Sequence, residues 1–297
     1  MGSLKREERT AILAMPAVLV AGAVIGWMGS FGGSSVIGLP AFAALYAFAF
    51  LLQWVVFVPS YLLRSERFFD VTGSLTYISV TAVGVAVNAS SDARSLLLLG
   101  LIAIWAVRLG TFLLRRVLRA GKDARFDQIK RSFPRLLLTW TLQGLWVSLT
   151  LAAALAAITT HIRQPLGIPA SVGAALWLVG FGFEVLADRQ KSAFRADPAN
   201  AGRFIQSGLW KWSRHPNYFG EILLWMGIAV IAAPVLRTWQ WATLISPVFV
   251  TVLLTRISGI PMLEGRANEK WGGRKDYETY KRTTSILIPL PPRKPGP

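Results

Sequence analysis

Apolar runs of about twenty residues, broken by short polar or basic segments, recur from one end of the chain to the other. A bilayer core about 30 Å thick needs roughly 20 predominantly apolar residues per helix. Eight stretches meet that length: 11–28, 39–63, 71–89, 95–114, 135–159, 170–187, 217–235 and 239–257. The third is the least apolar, because Thr72, Ser74, Thr76, Tyr77, Ser79 and Thr81 make it half-polar. Pro59 removes a backbone donor late in the second and predicts a kink or an early stop there. The first run is not a cleaved leader, since Glu7 and Glu8 precede it and glycines rather than a cleavage motif follow. Between the runs, 196–208 reads as a polar linker opened by an Asp197-Pro198 turn, and 121–134 as an interfacial helix or ordered loop. The Pro-rich stretch 288–297 reads as an extended tail leaving the membrane. The expected fold is an all-α, polytopic transmembrane helix bundle of seven to eight spans with basic loops, forming one integral-membrane domain.

Composition narrows the function. Of 297 residues, 53% are hydrophobic and only 16% charged, against about 25% charged in soluble domains. That excludes an ordinary soluble globule and a disordered chain. The net charge of +17 would suggest nucleic acid elsewhere, but here the bases lie between apolar runs and no nucleic-acid partner is expected. With no cysteine and only His161 and His215, far apart in sequence, neither a disulfide, a thiolate nucleophile nor a metal site is expected. Of the 32 Lys and Arg residues, 28 fall in the N-terminal segment, the even-numbered connections and the tail from Arg256; Arg94, Arg163 and Arg237 occupy the other side and Arg108 lies within the fourth span. This asymmetry predicts eight crossings with both termini cytoplasmic, or seven if the third run does not cross. Orientation alone accounts for such a bias, yet clusters of six to nine bases also suit an anionic cytoplasmic ligand or anionic lipid heads.

Polar groups inside the spans carry the chemistry, since a carboxylate at a helix centre costs roughly 2.5–3.5 kcal/mol on insertion. Glu184, Asp188, Lys191 and Arg195 form one stripe of a helix leaving the sixth span. The stripe is either a self-satisfied ion-pair ladder or the wall of a polar cavity whose bases meet phosphates. The segment around Ser213-Arg214-His215-Pro216-Asn217-Tyr218-Phe219-Gly220-Glu221 is the richest. Pro216 suits a first helical turn; Asn217, Glu221 and Trp225 then share a face, with Arg214 and His215 at an N-terminus that attracts anions. The bland alternative is a capping segment with Trp210 and Trp212 in the interfacial aromatic belt. Arg108 shares a face with Trp105 and Phe112, Asp70 shares one with Tyr77, and Gln53 is the strongly polar residue of an apolar run. Each is either a packing hydrogen bond or a carbonyl-polarising group in an apolar pocket. Gly26, Gly29 and Gly32 lack the strand and helix of a dinucleotide turn, and Gly180 and Gly182 read as helix packing.

The stretch Gly208-Leu-Trp, Asn217-Tyr-Phe-Gly-Glu221 and Trp225 closely resembles the C-terminal half of the steroid 5-alpha-reductase family, as do Arg203-Phe-Ile, Asp188 with Arg195, and Tyr280 followed by Ser285-Ile-Leu-Ile-Pro. Residues 184–290 match well; the front half matches more loosely, through Phe50-Leu-Leu-Gln53 and Arg108-Leu-Gly-Thr-Phe112. The resemblance implies a membrane-embedded, NADPH-dependent reductase of a 3-keto-Δ4 steroid or similar lipid enone. Residues 1–160 would mainly line the substrate pocket and 161–297 mainly hold the cofactor. It assigns the nicotinamide half to Asn217 and Glu221, with Phe112 at a neighbouring aromatic position, and the adenosine and phosphates to Asp188, Arg195 and Arg203; Arg108, Glu184, Arg214, His215 and Tyr218 are further expected cofactor-binding residues. Gln53 takes the position near the substrate carbonyl. Where the vertebrate reductases carry Glu after that Gln, this chain has Trp54, and the position of their catalytic Tyr falls on Trp105. Tyr77, supported by Asp70, is the expected substitute donor.

On this reading the enone enters sideways from the bilayer into an apolar pocket between spans 1–4, and the dinucleotide enters from the cytoplasm. The protein is expected to be a monomer in contact with membrane lipids, in the inner membrane if bacterial. Arg214-His215-Pro216-Asn217-Tyr218 is also similar to motifs of sterol C14-reductases and isoprenylcysteine carboxyl methyltransferases. The alternative is therefore an S-adenosylmethionine-dependent lipid methyltransferase. A transporter is a third reading, disfavoured because no inverted repeat is apparent.

Overall fold

The computed structural model describes residues 2–88, 92–120 and 126–294. Among them, eight helices are long and apolar enough to cross a membrane: Arg6–Gly29, Ala41–Leu62, Phe69–Val87, Ala93–Arg115, Phe133–Thr159, Ile168–Ala196, Pro216–Val235 and Thr238–Trp271. The half-polar third run is one of them. Residues 121–125 and 295–297, parts of the predicted interfacial loop and tail, lie outside the described residues.

Contacts divide the chain into two compact units, one running to Ala170 and including Ile231–Ser246, the other made of Ser171–Val230 and the chain from Pro247 onward. In the first unit, α1 (Gly2–Gly29), α2 (Ala41–Leu62), α3 (Phe69–Val87) and α4 (Ala93–Ala120) gather around α5 (Phe133–Thr159). The run from Leu151 to Ile158 on α5 is buried on every face, and its alanines give neighbouring helices close approach. A two-residue hairpin, β1 (Ser35–Val36) with β2 (Leu39–Pro40), joins α1 to α2. Its turn residues Ile37 and Gly38 both have positive φ, 52° and 76°, as a tight primed turn requires.

Pro59 does not end α2 early. The helix continues to Leu62, and the chain then turns back with the Ser60 hydroxyl donating to the carbonyl of Ser65 at 2.5 Å. Arg94, read from sequence as a topology marker, is 2% exposed. Its guanidinium donates to the carbonyls of Ile231 at 2.5 Å and Pro165 at 3.1 Å, so the buried charge is solvated by backbone.

In the second unit, α6 (Ile168–Ala196) and α7 (Pro216–Ala232) pack almost backbone to backbone. A Cβ on Gly180 would lie 2.5 Å from the Gly220 carbonyl, and one on Gly227 equally close to that of Gly173. Gly180 is therefore a packing glycine, as the sequence suggested, whereas a Cβ on Gly182 would meet nothing within 4 Å. Pro216 opens α7, as predicted. The eighth span is irregular: a 3-10 stretch (Thr238–Leu244) leads into α8 (Ile245–Val252), then a π turn (Leu253–Ile257), then a break at Gly259 before α9 (Ile260–Trp271). Helix α10 (Lys275–Thr283) carries Asp276 and Glu278 in its first turn and Lys281 and Arg282 in its last, the order the helix dipole favours. The 196–208 linker opens as expected, with Asp197 capping a 3-10 turn through Ala199 N at 2.9 Å.

Candidate functional site

A cleft of about 320 Å³ in the second unit gathers most of the expected phosphate-binding residues. Helix α6 delivers Lys191, Phe194 and Arg195 from one face; the linker adds Arg203 and Phe204; Arg214 and His215 come from the turn before α7. Helix α9 contributes Glu264, Arg266, Lys270 and Trp271, and α10 contributes Tyr277 and Tyr280. The aromatic walls are rigidly set. Trp210 donates its indole N–H to the Ala187 carbonyl at 3.0 Å and accepts the Tyr280 hydroxyl at its own carbonyl at 2.7 Å. Lys191 lies 4.3 Å over the Trp210 ring, and Phe204 meets Tyr277 edge-on at 5.2 Å.

Charge is heavily one-sided. Lys191, Arg195, Arg203, Arg214, Arg266 and Lys270 face a single carboxylate, Glu264. That carboxylate is shared: Arg214 Nη1 reaches Oε2 at 2.5 Å and His215 Nε2 reaches Oε1 at 2.8 Å. Arg195, Arg203, Arg266 and Lys270 have no ion-pair partner among the described residues. His215 is 4% exposed, stacked nearly parallel on Tyr218 at 5.6 Å. Burial lowers its pKa below the ordinary 6.5, outweighing the opposing pull of Glu264. The imidazole is then neutral near pH 7, with Nε2–H donating to the carboxylate. Its Nδ1 is buried and has no hydrogen-bond partner in the protein, which leaves an acceptor for a ligand donor.

The remaining cofactor candidates of this unit stand together but off the cleft wall. Asn217 Nδ2 donates to Asp188 Oδ1 at 3.3 Å, while Asn217 Oδ1 is buried without a partner. Glu184 and Asp188 are 3% and 8% exposed. Glu221, half-buried, follows Asn217 by one turn of α7. A ligand amide could satisfy the orphaned carbonyl.

Arg108 and Phe112 belong to the first unit, on α4, where the guanidinium lies 5.3 Å over the ring. Gln53 is fully buried there, and its Nε2 donates to Thr76 Oγ1 at 2.8 Å. Because the Thr76 hydroxyl is itself committed to the Thr72 carbonyl at 2.7 Å, the amide must present its N–H to Thr76. Gln53 Oε1 has no hydrogen-bond partner in the protein. Tyr77, next to Thr76, is buried and meets Trp105 edge-on at 5.0 Å. Asp70 sits in the first turn of α3, two turns before it. An apolar groove of about 480 Å³ runs between α1 and α2, walled by Leu19, Gly26, Trp27, Tyr46, Phe50 and Trp54. Ser30 and Pro40 complete its lining.

Sequence reasoning missed Glu264 and the aromatic partners Phe204, Trp271 and Tyr277. Glu264 had a signal: a carboxylate just past the last apolar run, in a segment otherwise dominated by bases.

A model of the family described as "Protein of unknown function (DUF1295)" matches residues 54–284. Among curated relatives, 3-oxo-5-alpha-steroid 4-dehydrogenase 1 of Mus musculus is 29% identical over 119 residues, covering 40% of this chain and 41% of the mouse protein. Steroid 5-alpha-reductase DET2 of Arabidopsis thaliana is 29% identical over 121 residues, 40% of either chain. The alignments thus span about two fifths of these relatives' length.

Proposed function

Because the chain belongs to the DUF1295 family, the steroid 5-alpha-reductase family, we propose that it is an integral-membrane reductase that takes hydride from NADPH and adds it to the C=C bond of a 3-keto-Δ4 steroid or similar lipid enone. The observation that carries this reading is the charge balance of the cleft, six cationic side chains to one carboxylate against aromatic walls. Such a surface suits a ligand carrying several phosphates and a planar base.

The fit is partial in a telling way. A volume of about 320 Å³ suits the phosphate-bearing adenosine end of a dinucleotide, not the whole molecule. Arg195, Arg203 and Arg214 bind phosphates by forked, charge-assisted hydrogen bonds, and Arg266 with Lys270 adds charge for a 2′-phosphate. Trp271, half-buried on the cleft wall, is the proposed stacking partner of the base, with the buried Phe204 packed against it at 5.8 Å. The nicotinamide carboxamide is assigned to Asn217, whose orphaned carbonyl accepts its N–H, and to the Glu221 carboxylate. When bound, NADPH supplies the hydride. In the first unit, Gln53 and Tyr77 are the proposed donors to a substrate carbonyl, Gln53 through the amide hydrogen that Thr76 does not take, with Asp70 in support. Donors fixed in a dry site stabilise developing oxyanion charge far better than water-exposed ones. The basic segments are proposed to face the cytoplasm, where the nucleotide is available.

The methyltransferase reading has less support. S-adenosylmethionine carries a sulfonium and no phosphate, so it leaves a strongly cationic cleft without purpose. The test is loss of reduced-nicotinamide absorbance when purified protein, NADPH and a 3-keto-Δ4 steroid are mixed. Glu221→Gln should abolish both turnover and NADPH binding while the protein melts as the unsubstituted chain does. Unchanged cofactor affinity in that variant would refute the assignment, and methyl transfer from S-adenosylmethionine would replace it.

A further inference from the structure

The segment after α10 does not leave the protein as a free tail. It turns back along 212–214, and its backbone is stitched there. Arg214 N donates to the Ser285 carbonyl at 2.8 Å, the Ser213 hydroxyl to the Leu287 carbonyl at 2.7 Å, and Leu290 N to the Trp212 carbonyl at 3.1 Å. Ser213 and Ser285 form a single isolated bridge, beyond which the segment bends, and its side chains alternate in exposure. Ser285, Leu287 and Pro289 are half-buried, whereas Ile286, Ile288 and Leu290 are 44%, 56% and 49% exposed. Trp212, exposed to 44%, extends the same apolar strip. Four exposed bases flank it, Lys211, Arg282, Arg293 and Lys294, and none has an ion-pair partner among the described residues.

Three large aliphatic side chains and a tryptophan beside bases with no ion-pair partner suit a partner that is apolar in depth and anionic at its face. The strip is bonded to the residues immediately before Pro216, where span seven begins, so it lies at the level where that span leaves the apolar layer. Tryptophan favours that level, and bases near an anionic leaflet gain from its surface potential. We propose that residues 285–294 with Lys211 and Trp212 form a membrane-surface docking strip for anionic phospholipid, the aliphatic side chains entering the acyl boundary and the bases taking the phosphate heads. This surface is separate from the cleft and stands whether or not the cleft holds a dinucleotide.

The chain has no cysteine, so a single introduced one can be labelled uniquely. Ile288→Cys, and separately Trp212→Cys, would carry an environment-sensitive fluorophore in nanodiscs containing acyl-brominated phosphatidylglycerol or acyl-brominated phosphatidylcholine at equal fraction. Both labels should be quenched, with phosphatidylglycerol favoured about fivefold or more, the worth of one base near an anionic leaflet. Replacing Lys211, Arg282, Arg293 and Lys294 together by Gln should equalise the two lipids. Absence of quenching by either, or equal quenching before the bases are removed, would overturn the proposal. So would label–label contact that rises with protein per disc, which would assign the strip to a second copy of the chain.

Discussion

His215 is the buried imidazole of the cleft wall. Its neutral ring donates to Glu264 and leaves Nδ1 without a protein partner. Because burial holds its pKa below the unfolded value of about 6.5, the unfolded chain binds more protons than the folded one as pH falls through that value. Its contribution to stability is thus complete above pH of about 6.5 and is lost progressively below it. Melting temperature in detergent should be level above that point and fall beneath it, and His215→Gln should flatten the acid limb. Arg266 and Lys270 test the charge reading. Losing a charge-assisted hydrogen bond costs about 1.5–3 kcal/mol, so Arg266→Gln with Lys270→Gln should weaken NADPH at least tenfold and NADH much less, read by equilibrium titration. Most of these residues were legible in the sequence: Lys191, Arg195, Arg203, Arg214 and His215 all line one cleft. Glu264 left a signal as a carboxylate among bases, but its pairing was not legible, because it depends on a break at Gly259 before α9 and on the bond to Arg214. Gln53 was legible as a polar intruder, but its bond to Thr76 was not, since that needs the pairing of two helices.

Helix α6 and the turn that opens α7 both bring side chains to the cleft, and the two helices approach closely. Their contact at Gly180, Gly220 and Leu224 leaves no space for a side chain. Gly180→Val should cost on the order of 3 kcal/mol, seen as a lower melting temperature and a loss of nucleotide binding. Gly182→Ala, whose Cβ would meet nothing within 4 Å, should be silent by both measures. The helices were the most legible level of structure, because a run long and apolar enough to span a bilayer has few alternatives. Their interruptions were less so. Pro59 was expected to bend or stop α2, yet the helix lasts another turn because the loop behind it supplies the Ser60–Ser65 bond. The eighth run carries a 3-10 entry, a π turn and a break, all set by packing that periodicity does not record. The alternating exposure of 285–290 was not legible behind its prolines, since it depends on where the segment is bonded to 212–214.

At the scale of the whole molecule, the placement of bases makes the topology testable. Single cysteines at Arg64 and Lys294 should react with an impermeant maleimide only when the basic face is open, and cysteines at Arg163 and Arg237 only from the other side; labelling of all four from one side would break the eight-span account. The net charge of +17 was legible at once but ambiguous, because orientation, lipid and nucleotide all draw on bases. The most direct measurement is titration of the purified protein with NADPH and with S-adenosylmethionine at low and high salt. Saturable NADPH binding that weakens as salt screens the cleft, with no competition from S-adenosylmethionine, is the predicted result. Tight S-adenosylmethionine binding with no measurable affinity for NADPH would contradict it.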